Sequence, residues 1–98
     1  MKKLLVLGDG YLQTTIIRRA KEMGLYVIAC DMTIGNPGEK LADRFYNVST
    51  TDFDAVLKIA EEEKINGILT YASDVSAPTV SYVAEKMGLP CNPYQTVN

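Results

Sequence analysis

The sequence predicts a doubly wound α/β domain: an open parallel sheet in strand order 3-2-1-4, with helices on both faces. Three observations predict it. The apolar runs Leu4-Leu5-Val6-Leu7 and Tyr26-Val27-Ile28-Ala29-Cys30 show no polar alternation, as expected of strands buried on both sides. Between the runs lie segments with helical spacing of apolar residues, and strict strand–helix alternation implies a parallel sheet with right-handed crossovers. Two helical segments close on the same tripeptide, Met23-Gly24-Leu25 and Met87-Gly88-Leu89. That is the mark of a left-handed glycine C-cap followed by an apolar residue.

Each element follows in order. The first strand stops at Gly8. Leu12, Ile16, Ile17, Ala20 and Met23 then line one face of a helix, with Arg18, Arg19, Lys21 and Glu22 off that stripe. The second strand, Tyr26–Cys30, ends at Asp31. Gly35-Asn36-Pro37-Gly38 reads as a turn, and Leu41-Ala42 as a short helical turn. A third strand is expected at Arg44–Val48. Thr51 and Asp54 approximate a capping box before a helix with Phe53, Val56, Leu57 and Ala60 inward. Glu61-Glu62-Glu63 reads as its solvated end, and Asn66-Gly67 as its terminator. Ile68–Tyr71 forms the fourth strand. Ser76 is the expected cap, and Pro78 a first-turn residue, of a helix burying Val80, Val83, Ala84 and Met87. A short fifth strand is expected near Cys91.

Composition excludes several classes of function. With 98 residues the chain holds one domain. No histidine is present, so neither a Ser-His-Asp nor a Cys-His pair forms within it. Cys30 and Cys91 are far apart and make no metal-binding pair; both read as core or near-core thiols. Ten basic and twelve acidic side chains leave a net charge of −2, against a nucleic-acid surface. No apolar run approaches the ~20 residues of a membrane span, and Leu4–Leu7 is shorter than a signal-peptide core of about 7–15. The expected location is the cytoplasm.

In such a sheet the ligand crevice lies beyond the carboxyl ends of the strands, where the strand order reverses. Here that point falls between the first and fourth strands. The residues delivered to it are Gly8-Asp9-Gly10-Tyr11, Asp31, Ser49-Thr50 and Tyr71-Ala72-Ser73-Asp74. Gly8 and Gly10 permit a tight turn into a helix N-terminus, where free N–H groups favour an anion. A dinucleotide fingerprint requires a third glycine where Gln13 stands, although Asp31, 21 residues past Gly10, lies where an acidic group would meet a ribose. The glycines therefore either bind a ligand or simply make the turn. Asp31 is either a loop-ordering residue or a ligand contact. Asp74 is either a cap-side carboxylate or one that recognises an amine or hydroxyl.

Lys3 to Gln13 resembles the opening of ATP-grasp enzymes, as does Tyr26–Asp31 followed by Leu41-Ala42-Asp43. The run from Thr70 to Pro93 is similar to the close of their first domain. The resemblance covers nearly the whole chain and points to the pre-ATP-grasp domain of carbamoyl-phosphate-synthase-like ligases, a Rossmann-like fold. It implies a domain over residues 1–93, with 94–98 a linker toward ATP-grasp domains in cis. It implies a ligase in which ATP activates a carboxylate for attack by an amine. ATP and magnesium would be held by those later domains, and no cofactor by this one. The substrate-facing residues would be Gly8, Asp9, Gly10, Tyr11, Leu12 and Gln13, with Ser73, Asp74 and Val75; Asp31 matches an acidic position in some members. On that reading the chain binds a small carboxylate or amine and is not catalytic alone. Two other readings stand beside it: an NAD- or nucleotide-binding regulatory domain, suggested by Gly8, Gly10 and Asp31, and a ligand-free module pairing as a homodimer through its sheet edge.

Overall fold

A computed structural model of the chain describes residues 2–8, 11–32, 35, 37–70 and 77–89. The elements run β1 (Lys3–Leu7), α1 (Tyr11–Glu22), β2 (Tyr26–Cys30), α2 (Pro37–Leu41), β3 (Arg44–Tyr46), α3 (Phe53–Glu63), β4 (Gly67–Leu69) and α4 (Ala77–Met87). The sheet is parallel throughout, in order β3-β2-β1-β4, as expected. The Ser76 cap, Tyr71 and the fifth strand near Cys91 lie outside the described residues.

The unbroken apolar runs are explained by burial on two sides. Side chains alternate across a strand, so β1 sends Leu5 and Leu7 to one face, and Leu4 and Val6 to the other. Leu5, Leu7, Ile28 and Ile68 pack beneath α3 and α4 with Val56, Ile59, Ala60, Val80, Val83 and Ala84. Cys30 is fully buried on that face, as its reading as a core thiol requires. Val6 and Val27 face α1, where they meet Ile17 and Ala20, flanked by half-buried Leu4, Ile16, Leu25, Leu41, Ala42 and Leu69. Full burial of each large aliphatic side chain contributes roughly 1.5–3 kcal/mol, offset by the entropy of ordering the chain.

Three helices end on one hydrogen-bond pattern. After α1, Gly24 (φ +82°) donates to Lys21 and Leu25 to Ala20. After α4, Gly88 (φ +69°) donates to Glu85 and Leu89 to Ala84. After α3 the same pair of bonds runs from Lys64 to Glu61 and from Ile65 to Ala60, with Lys64 left-handed at φ 57°. The helix thus stops ahead of the expected Asn66-Gly67, since lysine carries no left-handed signal. Asn66 instead clamps the start of β4: its N–H donates to the Lys3 carbonyl at 2.8 Å, and its Oδ1 accepts from the Lys3 N–H at 2.8 Å.

Other expectations are corrected in detail. Met23 is 71% exposed, because the chain leaves the helix after Glu22 and swings it off the buried stripe. The third strand is shorter than Arg44–Val48, and Pro37-Gly38 opens α2 instead of sitting in a turn. The cap of α3 is Asp52, whose Oδ1 accepts from the Ala55 N–H at 3.2 Å; Thr51 bonds Ser49 instead. Phe53 is exposed at the helix start, against the Tyr82 ring, and Ile59 takes an inward place not foreseen. β4 spans only Gly67–Leu69.

Glu63 departs furthest from its expected solvated position. It is buried, and its carboxylate accepts from the Tyr46 hydroxyl and meets Lys3 Nζ at 3.5 Å and Arg44 Nε at 3.4 Å. The hydrogen bond from Tyr46 and the charges of Lys3 and Arg44 outweigh burial and hold its carboxyl below the usual range. The same bond, with burial, raises the Tyr46 hydroxyl. The group ties the end of α3 across β1 and β3. A triplet of glutamates shows no such partners in sequence, since they come from strands 60 and 17 residues away.

Candidate functional site

Sheet register decides which residues share the carboxyl edge. Leu7 pairs with Cys30 and Cys30 with Tyr46, so Gly8, Asp31 and Asn47 emerge side by side. The Gly8 N–H donates to the Cys30 carbonyl at 2.7 Å, and the Asp31 N–H to the Tyr46 carbonyl at 3.2 Å. On the other side of β1, the buried Thr70 hydroxyl donates to the Leu7 carbonyl at 3.0 Å and completes the β1–β4 edge. The reversal of strand order lies between β1 and β4, where expected.

Gly8 is favoured by its backbone: its φ of +97° lies where side chains are strained, whereas a Cβ there would meet Gln13 Cγ in ordinary contact at 3.4 Å. Gln13 is 7% exposed and fills the space beneath the turn. It occupies the position of the missing third glycine, so helix and strand meet through a packed polar side chain. Tyr11 and Leu12 open α1, whose first turn holds no acidic residue. That leaves the helix N-terminus favourable to an anion. Asp9, Gly10, Ser73, Asp74 and Val75 lie outside the described residues.

Two further polar residues carry little signal in the sequence, Asn47 at this edge and Thr79 in α4. Asn47 Nδ2 donates to the carbonyls of Asp31 (3.0 Å) and Met32 (2.8 Å), holding the chain after β2 against the chain after β3. An Asn after a short strand is the only sequence signal, and it is a common turn residue. Thr79, in the first turn of α4, is fully buried with its hydroxyl unpaired among the described residues. A buried hydroxyl without a partner is costly, and Thr79 follows the chain that leaves the carboxyl end of β4. Ser49 and Thr51 share a hydroxyl–hydroxyl bond of 2.9 Å in the loop after β3.

Among the described residues no three His, Cys, Asp or Glu side chains converge to hold a metal ion. No described helix is long and apolar enough to cross a membrane. Among the described residues the edge offers Gly8 ahead of a helix N-terminus, the Asp31 carboxylate, and the Asn47 amide and Thr70 hydroxyl bonded to neighbouring carbonyls. Such a set can orient a small polar molecule with an anionic end.

No family model matches the chain. Among curated proteins, formate-dependent phosphoribosylglycinamide formyltransferase of Haemophilus ducreyi is 25% identical over 98% of this chain and 31% of its own length. The enzyme of that name from Methanocella arvoryzae is 32% identical over 91% of this chain and 21% of its own length. Among solved structures, phosphoribosylglycinamide synthetase from Anaerococcus prevotii superposes with a TM-score of 0.82 and 27% identity, covering 91% of this chain and 23% of that one. The chain thus spans a fifth to a third of the length of these relatives. Strand order, the glycine turn and this likeness agree: the chain is a homologue of the N-terminal, pre-ATP-grasp region of the ATP-grasp ligases.

Proposed function

We propose that this chain is the substrate-binding domain of a cytoplasmic ATP-dependent carboxylate–amine ligase and is not catalytic alone. Its substrate is a small amine carrying a phosphoribosyl group, held against nucleotide-binding domains joined in cis. One observation carries the reading: the match to phosphoribosylglycinamide enzymes runs through almost the whole chain.

The roles follow from the edge. Gly8 keeps side-chain bulk away from the turn, so backbone N–H groups of the first turn of α1 meet the anionic end of the substrate. Asp31 accepts a hydrogen bond from a ribose hydroxyl or an amine. Asn47 holds the backbone of Asp31 and Met32 at a set distance from β3. Asp9, Gly10, Tyr11, Leu12 and Gln13, which follow β1 in the chain, and Ser73, Asp74 and Val75, which follow β4, are the further residues assigned to the substrate. ATP and magnesium, held by the other domains, would activate the co-substrate carboxylate by transfer of the γ-phosphoryl group to it, with ADP leaving. The part of this chain is to orient the amine toward the activated carboxylate.

Titration of the ¹⁵N-labelled chain with phosphoribosylglycinamide tests the reading. The expected result is saturable shifts of the Gly8, Gln13, Asp31 and Asn47 amides, with α3 unmoved. Shifts of those amides by NAD but not by phosphoribosylglycinamide favour the regulatory alternative. Silence toward both overturns the site.

A further inference from the structure

A groove lies on the α1 side of the sheet, away from the carboxyl edge. It encloses about 370 Å³ between α1 and the strands β1 and β4. Its apolar lining is Leu4, Ile16, Ala20, Met23, Leu25 and Leu69. Thr15 and Arg19, both exposed, stand at its margin.

The groove follows from topology. The β1–α1–β2 crossover lays α1 over β1 and β2, and α2 continues toward β3. On the opposite face α3 and α4 cover β1 and β4. No described element covers β4 on the α1 side, and Leu4 and Leu69 stay half-buried there. A parallel sheet is ordinarily covered on both faces, so this corner is apolar surface awaiting a cover. Met23, 71% exposed, stands beside it.

Charge narrows the occupant. The chain as a whole is acidic, yet Arg18 and Arg19 of α1 are exposed and form no ion pair with a described residue. Lys21, by contrast, is paired with Asp43. A second copy laid on this groove would bring arginine against arginine. A segment with a large apolar side chain beside a carboxylate suits both floor and margin. In the relatives, two thirds or more of the polypeptide lies outside the region matched here.

We infer that the groove between α1 and β4 is the seat of such an apolar, carboxylate-bearing segment, supplied in cis by the domains joined to this one. This rests on the ligase reading above. Docking there fixes the domain, and with it the bound amine, relative to the catalytic domains.

The experiment uses the full chain expressed from its natural gene. A photo-crosslinking benzoylphenylalanine replaces Met23, and a control replaces Lys58, exposed on α3. The expected product is an intrachain link from position 23 to a segment outside residues 1–98, at an apolar residue within a few positions of Asp or Glu. Position 58 should give no such link. Met23→Asp should leave the thermal midpoint of the 98-residue chain unchanged, yet speed proteolysis between domains of the full chain about tenfold, the loss of one interface anchor. Links between two copies, links equal to the control, or unchanged proteolysis overturn the inference while leaving the ligase reading intact. A reading frame that encodes no further domain overturns both.

Discussion

On the α3/α4 face, Leu5, Leu7 and Ile28 are wholly buried, and Val56, Val80 and Val83 close over them. On the α1/α2 face, Val6, Val27, Ile17 and Ala20 form a smaller buried centre, and Leu4, Leu25 and Leu69 remain half-exposed around a groove. The same strands supply both faces. They differ because β3 crosses back to β4 through α3, which puts two helices behind β1 and β4 on one side, with no described helix over β4 on the other. Each face is also latched by one carboxylate. Glu63 joins α3 to Lys3, Arg44 and Tyr46. Asp43 joins α1 to β2, accepting from Lys21 Nζ and from the Val27 N–H at 2.8 Å. Stability and surface for further contact are thus divided between the two sides of one sheet.

The largest test of that division is Ile28→Ala beside Leu69→Ala. The first empties the closed face and should cost about 2–4 kcal/mol in urea denaturation; the second removes a half-exposed side chain and should cost about 1 kcal/mol or less. Equal costs would break the contrast between the faces.

The latches come next. Glu63→Gln removes the charge that Lys3 and Arg44 meet and should cost about 1–3 kcal/mol at neutral pH. Because the folded Glu63 carboxyl lies below its ordinary 4.5, its contribution is complete above that value and lost as pH falls through the folded value. The gap between wild type and Glu63→Gln should therefore close on acidification. Denaturation midpoints compared at pH 7 and pH 3 check this, and a gap that widens in acid refutes the latch. Asp43→Asn should cost about 1 kcal/mol. Burial alone would raise the Asp43 carboxyl, but Lys21 and the Val27 N–H outweigh it and lower it. The loss therefore has the same pH sign. Asp43 is the less buried of the two, with 25% of its side chain exposed against 10% for Glu63, so its effect should be the smaller.

The smallest expected effect is a gain. Lys64→Gly places glycine in the left-handed cap of α3 and should stabilise the chain by about 0.5–1 kcal/mol, read by thermal or chemical melting. A loss would mean that the Lys64 side chain contributes more than its conformation costs.

Much of this was legible because it is local. Unbroken apolar runs mark strands covered twice, and Gly24 and Gly88 mark C-caps because a left-handed residue favours glycine. The order of elements restricts topology to a few arrangements, of which 3-2-1-4 is the one observed. The reversal of strand order between β1 and β4, and the placing of Gly8 and Asp31 at the strand ends, follow from the same pattern. What escaped depends on partners distant in sequence. Glu63 looked like a solvated glutamate until Lys3, Arg44 and Tyr46 converged on it. Asn47 acts through carbonyls of the chain after β2, and Thr70 through a carbonyl of β1.

The sequence by itself determined the strands, the helices, the turn at Gly8 and the family likeness, since these depend on neighbours along the chain. Only the tertiary structure decided that Met23 points outward, that Gln13 packs beneath Gly8, and that no described element covers one corner of the sheet. The physical reason is that periodicity records how apolar a residue is, whereas burial depends on which element arrives to cover it.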